Sequence, residues 1–156
     1  MQRQANKNGK ESWGVTLRGG HLSQQAIPVH HPKQWQPATL IELLGRIGKL
    51  APGMQVDWSN KVSLRLTYPG HKSFYIRVGT SHAYGIRMGV LCPAGMMTTA
   101  RVDKLGLSPE ISRGRKDTDA VSFWVQRMDQ VDTEQFATLI RAAVGDTEPP
   151  GRRYDD

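Results

Sequence analysis

Three arginines and a tyrosine, Arg65, Tyr75, Arg77 and Arg87, occupy the polar positions of segments that alternate between polar and apolar residues. Guanidinium groups pair with phosphate oxygens, and an aromatic ring offers a plane on which an unpaired base stacks. Trp124 and Gln126 join this set if the segment carrying them lies in the same sheet. Arg113, Arg115 and Lys116 form a second cationic spot within SRGRKDTD. The same residue types also suit an ordinary solvated sheet face and a solvated loop, so both readings stand.

Other chemistries find less support. The five histidines are His21, His30, His31, His71 and His82. The adjacent pair His30-His31 needs two further ligands to hold a metal, and no Cys, Asp or Glu cluster supplies them. His71 and His82 fall in turns and suit solvated positions. Phosphate-loop, dinucleotide-loop, nucleophile-elbow, zinc-protease and paired-cysteine patterns are all missing. Asp103, Glu110, Asp117 and Asp119 are scattered, with no pair that spacing places across a cleft. A metal-dependent nuclease would want acids at strand positions that here carry Arg65, Arg77 and Arg87, which hold no divalent cation. The expectation is therefore no catalytic residue, no metal site and no cofactor.

The elements that position the candidates are legible from periodicity. Between Val62 and Leu91, three segments alternate strictly: Val62 to Tyr68, Ser73 to Val78, and Gly85 to Val90. Side chains on a strand switch faces at each residue, so these are half-buried strands of an antiparallel meander. Pro69-Gly70 and Gly79 to Ala83 are turns between them. Met54, Val56 and Trp58 predict a preceding strand, and Ala120 to Met128 a later one. Leu107 to Ile111 reads as a short strand that Pro109 confines to a sheet edge.

Pro37 opens a helix expected over residues 37–50, with an apolar stripe of Leu40, Ile41, Leu43, Leu44, Ile47 and Leu50. Met97 to Leu105 predicts a weaker helix closed by Gly106. The final helix, residues 133–144, has an N-cap at Asp132, a capping-box partner at Gln135 and a hydrophobic staple from Val131 to Phe136. Gly145 stops it. Phe74, Ile76, Met88, Val121, Phe123, Leu44, Phe136 and Ile140 are the predicted core.

Composition sets the outer limits. The 156 residues fit one domain with tails. Residues 1–35 are expected to be a loosely ordered basic segment, 36–145 a single domain, and 146–156 a disordered tail. A short strand at Trp13 to Arg18 is the alternative within the first segment. MQRQANKNGK has no apolar stretch of the kind a secretory signal needs. No run reaches the length of a membrane span. The single cysteine, Cys92, excludes an internal disulfide and fits a reducing cytoplasm as a buried, inert thiol. The formal net charge of +7 favours polyanionic partners, nucleic acid or an acidic protein surface, and no membrane partner is expected. Oligomeric state is open.

Several stretches resemble a known family. VDWSNKVSLRLTYPG, the FYIRV strand, the strand ending in CPAG, ARVDKLG and the RKDTDAVSFWVQRMDQVDTEQFATLIRAA ending are similar to the C-terminal extension of some UvrA-like excinuclease ATPases. That family comprises the damage-sensing ABC ATPases of nucleotide excision repair. The resemblance spans roughly residues 38–144. It implies an accessory domain associated with DNA repair. Because no nucleotide-binding loop, ABC signature or zinc cysteine pair is present, ATP hydrolysis does not carry over. A looser resemblance, to small α+β proteins of the YjbR/MmcQ type, implies a DNA-binding role by fold analogy.

The expectation is an α+β fold: an antiparallel sheet with the 37–50 and 133–144 helices on its apolar face. The expected function is a non-enzymatic nucleic-acid-binding or repair-associated module whose site comprises Arg65, Tyr75, Arg77, Arg87, Arg113, Arg115, Lys116 and Trp124. The alternative is a protein-interaction domain docking an acidic partner. An enzyme without a familiar motif is the third class.

Overall fold

The computed structural model describes residues 32–60, 62–68, 76–114 and 117–145. The expected N-terminal segment up to residue 31, the expected strand at Trp13 to Arg18, the expected C-terminal tail, and Phe74, Tyr75, Arg115 and Lys116 lie outside the described residues.

Helix α1 (Pro37–Leu50) carries proline in its first turn, where the missing N–H would have no intrahelical partner. Leu40, Leu43 and Ile47 are buried at i, i+3 and i+7. Ile41 departs from the expected stripe and is 54% exposed. It sits about 100° around the helix from Leu40, outside the buried arc.

Strands β1 (Gln55–Asp57), β2 (Ser63–Thr67), β3 (Ile76–Gly79) and β4 (Ile86–Pro93) follow as an antiparallel meander. A short helix α2 (Thr99–Val102) comes next, capped by the Thr98 hydroxyl, which accepts from Arg101 N at 3.2 Å. The helix expected over 97–105 is thus a single turn, as the β-branched Thr98-Thr99 pair and Gly106 would have it. Strand β5 (Leu107–Arg113) then runs along the outer edge, and β6 (Thr118–Val125) returns between β5 and β4. The resulting sheet has six antiparallel strands in the order β1-β2-β3-β4-β6-β5.

A turn of 3-10 helix (Met128–Gln130) leads to α3 (Thr133–Val144). The Asp132 carboxylate accepts from Gln135 N at 2.9 Å, and Val131 and Phe136 are both buried, as the staple requires. Only half of the capping box forms, since Gln135 Oε1 has no hydrogen-bond partner among the described residues. Gly145 closes the helix at φ 80°, a left-handed conformation that glycine adopts without a Cβ clash.

One face of the sheet and both long helices make the core. Leu64, Leu66, Ile76, Val78, Ile86, Met88, Val90, Val121, Phe123 and Val125 are buried beneath α1 and α3. α3 packs on β4, and α1 packs on α3. Of the predicted core, Leu44 is only half-buried, at the margin of this cluster. The core also reaches past the domain boundary expected at residue 36. Trp35 is 1% exposed, and its indole N–H donates to the His82 carbonyl at 3.1 Å. Lys33 lies 4.6 Å over the Trp35 ring and is 8% exposed. Cys92 is buried, and burial together with the Asp119 carboxylate pushes its thiol up to about 12. No described helix is long and apolar enough to cross a membrane.

Two measurements test this packing. Phe123 is fully buried, so Phe123→Ala should lose about 3–5 kcal/mol in a denaturant melt. A loss below about 1 kcal/mol would place Phe123 outside the core. Burial also lowers Lys33 to about 8 from its ordinary 10.5. Between those values the unfolded chain holds a proton that the folded chain releases, so Lys33 makes stability rise as pH climbs through that window. The stability of Lys33→Met should lack this component of the rise, which paired melts at pH 8 and 10.5 would measure.

Candidate nucleic-acid interface

The sheet alternates, so everything not turned toward the helices lies on its second face. Apart from Gly79, the strand residues on that face are exposed or half-buried. The register fixes which residues meet. One row across the strands reads Asp57, Arg65, Arg77, Gly89, Ser122 and Glu110. The adjacent row reads Ser63, Gly79, Arg87, Trp124 and Leu107. Arg65 and Arg77 are thus directly opposed and both exposed, with Arg87 one row along on the next strand. Like charges directly opposite destabilise a strand pair, so this row carries an electrostatic cost that an anion would relieve. Asp57 beside Arg65 offsets part of it.

Arg87 has a more definite environment. Its guanidinium donates to the Ser122 hydroxyl at 3.0 Å, stands 3.8 Å from a Glu110 carboxylate oxygen and lies 4.7 Å over the Trp124 ring. The group is therefore held over an indole face, still about a third exposed at 31%. Glu110 reaches it because of an irregularity in β5. Leu107 pairs with Trp124, and Glu110 pairs with Ser122, so one extra residue is inserted between them. That bulge turns Glu110, rather than Pro109, onto the open face. Ser108 within it has φ 48°, a left-handed conformation unusual for a residue with a Cβ.

Trp124 is the centre of an aromatic group. The His82 ring meets it edge-on with centroids 5.0 Å apart, and the Tyr84 ring does so at 5.3 Å. Both come from the β3–β4 connection, which curls over this end of the face. Two straps hold it. Gln126 Nε2 donates to the Tyr84 carbonyl at 2.8 Å and to Gln34 Oε1 at 3.3 Å, while Gln34 N donates to the Ala83 carbonyl at 2.7 Å. Gln130 Oε1 in turn accepts from the backbone of Gln126 and Arg127. Tyr84 remains 42% exposed.

Of the eight residues expected at the site, Arg65, Arg77, Arg87 and Trp124 share this face. Arg113 does not: it pairs with Asp119 and alternates with Glu110 and Ser112, which puts it on the helix-bearing side. Tyr75, Arg115 and Lys116 lie outside the described residues. His82 is exposed in its turn, as expected, and its ring also meets Trp124, while Tyr84, Ser122 and Glu110 belong to the face without having been singled out. The alternation of β6 carries a signal for Ser122. The two rings spaced two apart in Ser81-His82-Ala83-Tyr84 hint at the aromatic group, but no local pattern gives the direction in which that connection curls.

In comparisons with protein-family models, curated proteins and solved structures, nothing matches this chain. The site therefore rests on its own geometry.

If Gln126 is the strap that fixes the aromatic end, Gln126→Ala should speed amide exchange across residues 81–85. The ladder between β4 and β6 should keep its protection. Unchanged exchange in the 81–85 amides would mean that the Gln34 and Trp35 contacts suffice alone.

Proposed function

We propose that this chain is a non-enzymatic nucleic-acid-binding module and that the open sheet face is its binding surface. The observation that carries the reading is the juxtaposition, on inner strands of the sheet and on the face turned away from the two long helices, of Arg65, Arg77 and Arg87 with the Trp124 ring group. Guanidiniums supply phosphate contacts, and rings supply stacking surfaces. The formal net charge of +7 draws a polyanion toward the protein without specifying where it sits. DNA repair in the cytoplasm is the setting we infer from the sequence resemblance to the excinuclease extension alone. Docking of an acidic protein would use the same arginines and rings and is the alternative reading.

Salt dependence tests the proposal. Each phosphate neutralised on a duplex contributes a slope of about 0.9 in log K against log salt. Arg65 and Arg77 should account for a slope of about 2, and replacing both with alanine should flatten the curve by that amount. Anisotropy titration of labelled oligonucleotides at several salt concentrations gives the value. Lack of binding to DNA and RNA even at low salt would overturn the proposal and favour the acidic protein partner.

A further inference from the structure

We infer that the nucleic acid taken by this face is single-stranded, with unpaired bases lying on a shelf made by Tyr84, Trp124 and Arg87 and the phosphates on Arg65 and Arg77. The inference rests on the nucleic-acid reading above and specifies its ligand.

The shape of the face excludes groove reading. Six strands at about 4.8 Å spacing make a surface about 24 Å across, twice the ~12 Å width of a B-DNA major groove. No described element stands out from its middle: at Gly89 a Cβ would meet no atom within 4 Å, and Ser122 and Ala120 on the next strand are small. A duplex could touch such a plane only with its phosphates. Its bases are stacked on one another and offer no ring face to Tyr84 or Trp124.

The same geometry suits a single strand. Gly89 leaves a flat floor between the arginine pair on β2 and β3 and the ring group at β4 and β6. Arg77 and Trp124 are two strands and one row apart, about 12 Å between Cα atoms on ordinary sheet spacings. A backbone held at Arg77 can thus turn its bases toward the shelf. The shelf is already ordered. Trp124 is fixed by the edges of His82 and Tyr84, and Arg87 is fixed by Ser122 and by the indole beneath it. A base that lands there immobilises few additional rotors, and so loses little affinity to ordering. Arg87, lying over the indole, accordingly offers the stacking plane on that side of Trp124, while Arg65 and Arg77 act as phosphate contacts.

The test uses the full-length chain and two fluorescein-labelled probes, a thymidine oligonucleotide of about 15 nucleotides and a duplex of equal length, at low salt. The single strand should bind at least about tenfold tighter. Tyr84→Ala should weaken it roughly 5- to 150-fold and leave the duplex within about twofold. Arg87→Lys keeps the charge and loses the planar face, so it too should weaken the single strand selectively. Replacing Arg65 and Arg77 should weaken both probes. Equal binding of the two probes, or single-strand affinity indifferent to both Tyr84→Ala and Arg87→Lys, overturns this inference while nucleic-acid binding stands. No binding of either probe overturns both. Tyr84 is exposed and Arg87→Lys keeps the charge, and circular dichroism of each variant separates a lost fold from a lost contact.

Discussion

The antiparallel ladder between β4 and β6 is the constraint on which the rest of the molecule depends. It runs from the Ile86–Val125 pair to the Pro93–Thr118 pair and joins the β1–β4 meander to the β5–β6 hairpin. Its register decides both faces at once. Met88 opposes Phe123 beneath the helices, while Arg87 opposes Trp124 on the open side. A slip of one residue would carry Phe123 into water and Trp124 into the core, exchanging every neighbour on both faces. Burial of the Met88, Val90, Val121 and Phe123 side chains penalises that slip, so the hydrophobic core also fixes the geometry of the polar surface.

The ends of the sheet are held by different means. The β3–β4 connection is secured by backbone and amide hydrogen bonds from Gln34 and Gln126, together with the buried Trp35 indole. These contacts join three parts of the chain far apart in sequence, and they present His82 and Tyr84 to Trp124. Along the outer edge, β5 is irregular. Pro109 removes a donor from the edge strand, and the bulge interrupts its pairing with β6, both of which blunt an edge that would otherwise add further strands. The bulge also delivers Glu110 to Arg87, so one feature limits edge pairing and shapes the polar face.

Charge on that face is distributed unevenly. Acids stand at the two ends of the central row, Asp57 on β1 and Glu110 on β5, and the arginines stand between them. Arg87 already has a hydroxyl, a carboxylate and an indole as neighbours, whereas Arg65 and Arg77 oppose each other. Two like charges opposed in register weaken the strand pair modestly in water.

Local physics made much of this legible from the sequence alone. Alternation identified β2 and β4 and the side that Arg65, Arg77, Arg87 and Trp124 occupy, because strand side chains switch faces residue by residue. Pro37, Asp132 and Gly145 marked helix ends, because unpaired backbone groups there demand particular side chains or conformations. The α+β class followed from the order of those elements. Tertiary structure decided what local pattern does not encode. The placement of β6 between β4 and β5 depends on long-range pairing. The exposure of Ile41 and the burial of Trp35 depend on which surfaces meet, not on hydrophobicity. The turn of Glu110 onto the open face depends on an inserted residue in a pairing register, and the aromatic group at Trp124 depends on straps from residues remote in the chain. Each of these is a contact between distant segments, whose geometry exists only once the sheet has formed.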